Sequence, residues 1–172
     1  GLNRFFLPLR SHIYCKATRL DALNSIIYLK DTRHKHIITV WRIEMDTGIK
    51  GFKEIIVTKE LTAMSMGSGD LDVYATPSMI ALMEGTASES VKSELDEGQG
   101  SVGTSISVKH LAATPIGMRV RCESELVEVD GRRLVFNITA YDEKDKIGEG
   151  THERFIISND KFQSKADSKL RE

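Results

Sequence analysis

Beyond residue 100 the sequence alternates between apolar and polar residues almost without a break, and one long apolar segment precedes this alternation. A period of two is typical of β-strands that bury one face, so this part of the chain predicts a half-buried sheet. The preceding segment has a helical period instead, and its expected buried stripe contains Ile80, Met83, Ala87 and Val91. One helix followed by neighbouring strands predicts an α+β domain in which the helix covers the apolar face of the sheet.

The alternating segments are separated by short polar turns. Asp130-Gly131 between two such segments is a strong signal for a β-hairpin, and a second polar turn spans Asp142 to Lys146. Short connections of this kind make neighbouring strands antiparallel. The residues expected to face inward are Val102, Thr104, Ile106, Val108 and His110 in the first segment, Met118, Val120, Cys122 and Leu126 in the second, and Leu134, Phe136, Ile138 and Ala140 in the third.

In the last strand, within "IGEGTHERFII", we expect Phe155 and Ile157 to face inward. His152 has the opposite phase and is predicted to be an exposed or interfacial histidine, which makes it a weak candidate for a functional site. Arg154 and the other strand arginines could contact the phosphates of a ligand, but charges that alternate along strands usually form the solvent-facing side of a sheet, and Arg154 is predicted to lie there.

Thr76 and Pro77 mark the start of the apolar helix, after a predicted strand at Phe52–Leu61. Thr is a frequent N-cap, and Pro suits the first helical position because its missing N–H has no intrahelical partner there. Glu84 lies at the border of the buried stripe, and Gly85 beside it costs about 1 kcal/mol relative to Ala. Close approach of a surrounding sheet would compensate for this glycine. We therefore expect a hotdog fold, a curled antiparallel sheet wrapped around one central helix.

Composition restricts the possible partners. The 172 residues, 40% hydrophobic and 28% charged, fit one ordinary globular domain. The net charge of −1 gives no indication of nucleic-acid binding, and no apolar run approaches the roughly 20 residues of a membrane-spanning helix. Cys15 and Cys122 form neither a metal-ligand spacing nor a disulfide framework, which is typical of a reducing compartment and predicts a cytoplasmic protein. The "HKH" at residues 34–36 lacks the spacing of a zinc motif, so no metal is expected.

Residues 1–44 differ from the rest of the chain. Basic residues outnumber acidic ones in this segment, the reverse holds after it, and the first methionine is Met45. Three interpretations are open: a true extension, a targeting segment, or sequence upstream of a start at Met45, which we favour. We place the function in residues 45–160 and interpret residues 161–172 as a polar tail that is loose at its end.

Four positions and their surroundings resemble the hotdog thioesterases that are similar to fluoroacetyl-CoA thioesterase. Thr76 and, eight residues later, Glu84 occur in "ATPSMIALMEGTA", and Gly103 and His110 in "VGTSISVKHLAATPIGMRV". That family carries a Thr and a Glu at this separation on its central helix, and a Gly and a His at matching positions on the following strand. The resemblance extends through Thr114, Pro115 and Gly117, and covers roughly Phe52 to Ile157.

The resemblance implies hydrolysis of an acyl-CoA thioester to the free acid and coenzyme A, with coenzyme A as part of the substrate and no separate cofactor. Such hydrolysis needs an attacking oxygen, a proton shuttle and donors aimed at the developing oxyanion. Glu84 is then the nucleophile or the general base for water, and His110 the proton shuttle. Thr76 positions Glu84 or the water, and Gly103 lets the acyl group approach closely. The resemblance also implies a homodimer with the site at the subunit interface.

The acyl group is left open by the sequence. Family members specialised for fluoroacetyl-CoA carry an aromatic lid, whereas the loop Met64–Asp72, "MSMGSGDLD", contains no Phe or Trp. We therefore expect a more general pocket for small or medium acyl groups. Two other functions are considered: an enoyl-thioester hydratase or dehydratase, whose usual Asp-to-His motif is absent at Ser78 and Met79, and a non-catalytic module that binds acyl-CoA.

Overall fold

The computed structural model describes residues 14–15, 28–30, 37–39 and 45–170. The chain divides into two compact units, residues 1–44 and residues 45–172. In the first unit, the described residues form an antiparallel sheet of three short strands: β1 (Tyr14–Cys15), β2 (Tyr28–Lys30) and β3 (Ile37–Thr39). The "HKH" motif at residues 34–36 lies outside the described residues.

The second unit contains one antiparallel sheet and one long helix. Its elements, in chain order within residues 45–170, are β4 (Lys50–Ile56), α1 (Ala63–Met66), α2 (Thr76–Ser90), β5 (Gln99–His110), β6 (Arg119–Asp130), β7 (Arg133–Tyr141), β8 (Lys146–Ser158) and α3 (Asn159–Ser168). The five strands lie in the order β4-β6-β7-β8-β5. The predicted hairpin between β6 and β7 is confirmed, and its Gly131 has φ 57°, a left-handed conformation that glycine adopts at little cost.

Helix α2 contacts all five strands of this sheet, so the sheet curls around it. The buried residues of the helix include Met79, Leu82, Met83 and Ala87. The predicted stripe is confirmed at Met83, Ala87 and Val91, which are fully buried, whereas Ile80 is only half-buried and Met79 is fully buried instead. The inward faces predicted for β6 and β7 are confirmed at Val120, Cys122, Leu126, Leu134, Phe136, Ile138 and Ala140.

The close approach between helix and sheet occurs at strand glycines rather than at Gly85. A Cβ on Gly85 would contact only Lys53 Nζ, at 3.5 Å, which is an ordinary van der Waals distance. A Cβ on Gly51 of β4, in contrast, would lie 2.8 Å from the Thr86 carbonyl oxygen of α2. The explanation of Gly85 by sheet packing is therefore wrong, and Gly51 is the residue that lets the strand approach the helix.

Strand β8 has the opposite phase from the one predicted. His152, Arg154 and Ile156 are buried on the face toward α2, while Phe155 and Ile157 are only half-buried on the other face. The prediction that His152 is exposed and Arg154 solvent-facing is therefore wrong. The alternating apolar residues gave the wrong face because an arginine and a histidine, both with hydrogen-bond partners, occupy core positions.

Strand β5 contains a bulge that also changes its phase. Its register against β8 shifts between Gly103 and Ser105, so Gly103 pairs with Arg154 and Ile106 with His152. Residues that pair directly across antiparallel strands share a face. Gly103 therefore lies on the helix-facing side, whereas Val102, expected on the face of Ile106, pairs with Phe155 on the other side.

Helix α3 lies where the sequence predicted only a polar tail. Every residue of the helix is exposed, which explains why no apolar period marked it. At its start the Asn159 backbone N–H donates to the Gly98 carbonyl at 2.9 Å, and the Asn159 side chain donates to the Gln99 carbonyl at 3.2 Å. In the part of the chain that the structure describes, no helix has the length and apolar character needed to cross a membrane.

Candidate active site

The start of α2 and the end of β5 bring Thr76 and His110 together. Thr76 Oγ1 lies 2.8 Å from His110 Nδ1. Thr76 is the first residue of the helix, Ala75 is the N-cap, and no side chain caps the helix N-terminus. The interpretation of Thr76 as an N-cap is therefore wrong, because its hydroxyl binds the imidazole. His110 Nε2 is buried and has no hydrogen-bond partner among the described residues.

Glu84 of α2 lies next to Gly103, near the middle of β5. The side chain of Glu84 is 42% exposed, so its carboxylate is reached by water. A Cβ on Gly103 would lie 2.6 Å from Glu84 Oε1 and 3.0 Å from His152 Cε1. The lack of a side chain at Gly103 thus leaves the surface of the strand open in front of the Glu84 carboxylate.

His152 and Arg154 lie beside Glu84 on the inner face of β8. His152 is fully buried, its Nδ1 is 2.8 Å from the Ser105 carbonyl oxygen, and its Nε2 is 3.1 Å from Arg154 Nη1. His152 Nε2 also lies 4.0 Å from Glu84 Oε1. We refer to Glu84, Gly103, His152 and Arg154 as the Glu84 cluster.

The guanidinium of Arg154 is buried and is held by neutral oxygen atoms. Arg154 Nη2 donates to the Ser101 carbonyl at 2.6 Å and to Ser88 Oγ at 3.2 Å, and Nε donates to Ser101 Oγ at 2.9 Å. Nη1 additionally points to the Glu84 main-chain carbonyl at 3.5 Å. A buried charge is costly unless its hydrogen bonds are satisfied, and here three residues besides His152 satisfy them.

The electrostatics of the cluster keep His152 neutral. Burial lowers the pKa of His152, the Arg154 charge lowers it further, and the Ser105 carbonyl and Glu84 only partly oppose this. Burial also lowers the pKa of the Arg154 guanidinium, with Glu84 acting in the opposite direction. The cluster therefore combines a neutral imidazole, a cation and a water-accessible carboxyl group.

The Thr76–His110 pair and the Glu84 cluster are separate within one chain. Glu84 follows Thr76 by eight positions in the helix, a rise of about 12 Å. On the sheet, His110 pairs with Gly148 and His152 with Ile106, and this offset of four strand positions spans about 13 Å. In the described part of the chain, no hydrogen bond or ion pair joins Glu84 to either Thr76 or His110.

Sequence reasoning assigned Arg154 to the solvent-facing side and treated His152 as a weak candidate. The signal that fixes their phase is the glycine at position 148, four residues before His152. A Cβ on Gly148 would lie 2.5 Å from Met79 Sδ, so this face of β8 must be the one against α2. A glycine inside a strand often marks a place where another part of the chain approaches closely.

Neither a reactive cysteine nor a metal-binding cluster is found among the described residues 45–170. Cys122 is a free, fully buried cysteine, and burial raises the pKa of its thiol, so it is a core residue rather than a nucleophile. Among the residues that the structure describes, no three His, Cys, Asp or Glu side chains are grouped so that they could hold a metal ion.

Comparison with known proteins places this arrangement in a family. Residues 57–160 match the fluoroacetyl-CoA-specific thioesterases, which is more than half of the chain. The chain belongs to this family. The fluoroacetyl-CoA thioesterase of Streptantibioticus cattleyicolor is 45% identical over 98 residues, which cover 57% of this chain and 70% of that protein.

Solved structures agree with this assignment. A structure of the fluoroacetyl-CoA thioesterase FlK has a TM-score of 0.70 at 37% identity, covering 73% of this chain and 97% of the other. A hot-dog-like protein from Thermanaerovibrio acidaminovorans has a TM-score of 0.65 at 24% identity, over 72% of this chain and 91% of that one, and shows the fold alone. The expected family, the hotdog fold and the class of thioester hydrolase are confirmed, while the roles of individual residues stay predictions.

Proposed function

We propose that the protein hydrolyses a small or medium acyl-CoA thioester to the free acid and coenzyme A. The observation that carries this proposal is the setting of Glu84. Its carboxylate is water-accessible, faces the open strand surface at Gly103 and lies beside the buried Arg154. A thioester carbonyl placed against Gly103 has a carboxylate within reach, and a nearby water can serve as the attacking oxygen.

In the proposed reaction Glu84 acts as general base or as nucleophile. As a base it takes a proton from water while the water oxygen bonds to the thioester carbonyl carbon. The tetrahedral intermediate then collapses, the C–S bond breaks, and the departing thiolate of coenzyme A takes a proton from His110. Thr76 supports this step because its hydroxyl engages Nδ1 and leaves Nε2 for the leaving group.

The two roles of Glu84 are distinguished by oxygen labelling. In a single turnover in H₂¹⁸O, a general base yields acid that carries one ¹⁸O atom from water. As a nucleophile, Glu84 displaces the coenzyme A thiolate and forms an acyl anhydride; if water attacks the Glu84 carbonyl of this anhydride, the acid leaves with an unlabelled oxygen and ¹⁸O enters the protein. ¹⁸O in the peptide containing Glu84, detected by mass spectrometry, therefore identifies the nucleophilic route, and trapping of the anhydride with hydroxylamine detects that route when water attacks the acyl carbonyl instead.

We infer that the working unit is a homodimer with its sites between subunits. The separation of about 12 Å along the helix keeps the Thr76–His110 pair from Glu84 in one chain. Strand β5, which carries Gly103 and His110, is an edge strand of 12 residues whose outer side is unpaired in the described part of the chain. Long edge strands favour pairing. Antiparallel pairing of two β5 strands, with His110 opposite Gly103 of a second copy, joins the two half-sites.

The dimer proposal has a complementation test. Glu84→Gln and His110→Ala variants, each inactive alone, are mixed, unfolded and refolded together. In a shared site, the heterodimer contains one intact pair of Glu84 and His110, so about a quarter of wild-type activity returns, from half of the dimers with one site in two. If each site lies within one chain, mixing restores nothing.

The acyl specificity follows from the loop between β4 and α2, which the family resemblance identifies as the lid. Its large apolar side chains, Met64, Met66 and Leu71, are exposed. The loop is fastened at its base by hydrogen bonds from the Ala63 N–H to the Val73 carbonyl at 2.9 Å and from the Met64 N–H to the Leu71 carbonyl at 3.1 Å. Flexible methionines adapt to ligands of different shape, which supports a pocket for several small or medium acyl groups.

All proposed site residues lie in residues 45–160, and we assign the activity to that segment. The cytoplasmic location predicted from the two cysteines is part of the same proposal. A chain that begins at Met45 should fold and retain full activity, measured by circular dichroism and by thioester hydrolysis. Loss of activity in a folded truncated chain would assign a catalytic or binding role to residues 1–44.

The decisive experiment is release of free thiol from acyl-CoAs of increasing chain length, from acetyl to palmitoyl, by the wild type and by Glu84→Gln. We expect turnover on short and medium chains and a loss of about 10²–10⁴-fold in the variant, as for removal of a general base. Glu89→Gln, an exposed glutamate on the same helix, is the matched control. Binding without hydrolysis across the series would favour the non-catalytic acyl-CoA module.

A further inference from the structure

We propose that His152 is a positioning residue that holds the guanidinium of Arg154 away from the Glu84 carboxylate and so keeps this carboxylate a competent base. The inference rests on the proposed thioester hydrolysis and adds a residue to it. His152 does not touch the reacting atoms in this scheme. It acts through Arg154, which lies on the same face of β8.

The hydrogen bonds of His152 fix its tautomer. A carbonyl oxygen only accepts, so Nδ1, at 2.8 Å from the Ser105 carbonyl oxygen, carries the proton and donates it. The other nitrogen, Nε2, then has a lone pair and accepts from Arg154 Nη1 at 3.1 Å. Since the imidazole is fully buried and bonded on both sides, it presents a fixed acceptor to the arginine.

His152 Nε2 helps to orient the guanidinium of Arg154 through its hydrogen bond with Nη1. Ser101 and Ser88 hold Nε and Nη2, and His152 holds Nη1, which otherwise has only the Glu84 main-chain carbonyl at 3.5 Å. No ion pair within 4.0 Å joins Arg154 to the Glu84 carboxylate among the described residues, whereas His152 Nε2 lies 4.0 Å from Glu84 Oε1. His152 Nε2 is therefore close to both the cation and the carboxylate.

Removal of the acceptor leaves Arg154 Nη1 with only the long 3.5 Å contact to the Glu84 main-chain carbonyl, and the Glu84 carboxylate is the stronger acceptor in the same cluster. A direct ion pair stabilises the ionised carboxylate and makes it a weaker base. The groups that face His152 are Arg154 on its own strand, Glu84 on α2 and the Phe136 ring on β7, at 6.5 Å between centroids. Of these, only Glu84 is an acceptor that Arg154 gains when His152 is lost.

The test compares His152→Phe with His152→Gln in acyl-CoA hydrolysis. Phe fills the space without an acceptor, and we expect kcat to fall about 10- to 100-fold with little change in KM, together with a shift of the acidic limb of the kcat–pH profile to lower pH. Gln carries a donor for Ser105 and an acceptor for Arg154, and should restore most of the rate and the position of the acidic limb.

Two controls separate positioning from general stability. Phe136→Leu disturbs the packing around the imidazole without removing a hydrogen bond, and it should lower the melting temperature while leaving the pH profile in place. In an Arg154→Gln background, His152→Phe should cause no further shift of the acidic limb, because the residue it acts through is gone. An equal shift in both backgrounds would overturn the proposal.

The outcomes are distinct from failure of the proposed function. A wild type that hydrolyses no acyl-CoA refutes thioester hydrolysis itself. A wild type that is active, with a His152→Phe variant of unchanged kcat and pH profile, refutes only the role of His152. If His152→Phe does not fold, ¹⁵N NMR of the wild-type imidazole decides: protonated Nδ1 with unprotonated Nε2 at neutral pH supports the inference, and any other state overturns it.

Discussion

Gly103 faces Glu84 at a distance that leaves no room for a methyl group, since a Cβ at position 103 would lie 2.6 Å from Glu84 Oε1. The same Cβ would lie 3.0 Å from Cε1 of His152, which is fully buried and cannot give way. The partly exposed Glu84 carboxylate is free to move, so it is the group that shifts. The two residues are therefore coupled sterically, because the absence of a side chain at position 103 leaves the space that the Glu84 carboxylate occupies.

Gly103→Ala should consequently reduce activity more than stability. We expect kcat to fall by about 10²-fold, the scale of a misplacement of roughly 1 Å at a reacting group, and the melting temperature to fall less, because the new Cβ also meets the buried His152 Cε1 at 3.0 Å. The measurement is steady-state hydrolysis alongside thermal unfolding. Gly85→Ala is the matched control, because its new Cβ meets only Lys53 Nζ at 3.5 Å. Equal kinetics for both variants would show that Gly103 is not part of the site.

The Thr76 hydroxyl should matter for the orientation of the His110 imidazole rather than for the helix. Thr76→Val removes the 2.8 Å contact to Nδ1 but keeps the side-chain shape, so we expect kcat to fall by about tenfold or more and the melting temperature to stay within the small range typical of surface changes. Thr76→Ser should retain most of the rate. Thr151→Val, at an exposed position of β8, is the control. A helix that melts earlier in Thr76→Val with normal kcat would restore a capping role.

Much of the fold follows from the sequence because the inward residues of β6 and β7 are apolar except for Ser124. Val120, Cys122 and Leu126 in β6, and Leu134 and Phe136 in β7, follow a period of two, and all are fully buried. The tight hairpin at Gly131 is equally local, since one glycine in the left-handed region specifies it. The sequence predicts these strands and the hairpin correctly because each depends on a local pattern of a few residues.

The site was predicted less completely because its residues break those local rules. The bulge between Gly103 and Ser105 changes which residues of β5 face the helix, and the sequence at this position does not predict a bulge. Buried His152 and Arg154 contradict the expectation that charged residues face water, and their hydrogen bonds come from distant residues such as Ser101 and Ser88. Polar core positions of this kind depend on partners that only the folded chain brings together.

Gly85 offers a test of stability that is separate from catalysis. Since the position is helical and has room for a Cβ, Gly85→Ala should stabilise the protein by about 1 kcal/mol through helix propensity. The measurement is urea unfolding. Gly51→Ala provides the contrast, because a Cβ there would lie 2.8 Å from the Thr86 carbonyl oxygen and should destabilise the fold. A destabilising Gly85→Ala would reveal a contact of this residue that a single chain lacks.

The final prediction concerns Asp142, which is buried in the turn between β7 and β8. Its Oδ1 accepts from the backbone N–H groups of Lys144 and Asp145, both at 2.8 Å, and its Oδ2 accepts from the Thr114 hydroxyl at 2.9 Å. Burial alone would raise the pKa of Asp142, but these hydrogen bonds and the Lys144 charge outweigh it, so the pKa is lowered from its usual value of 3.8.

A carboxyl group with a lowered pKa binds fewer protons in the folded state than in the unfolded state. Its stabilising contribution is therefore fully present above the unfolded pKa of 3.8 and is lost as the pH falls through the folded value.

We expect Asp142→Ala to lower the free energy of unfolding by about 1–3 kcal/mol at neutral pH, and to show a smaller loss of stability than the wild type below pH 3.8. Urea unfolding at a series of pH values measures both effects, with exposed Glu143→Ala as the control. Parallel curves for wild type and Asp142→Ala across the acid range would contradict the assigned role, because the variant has no carboxyl group to titrate.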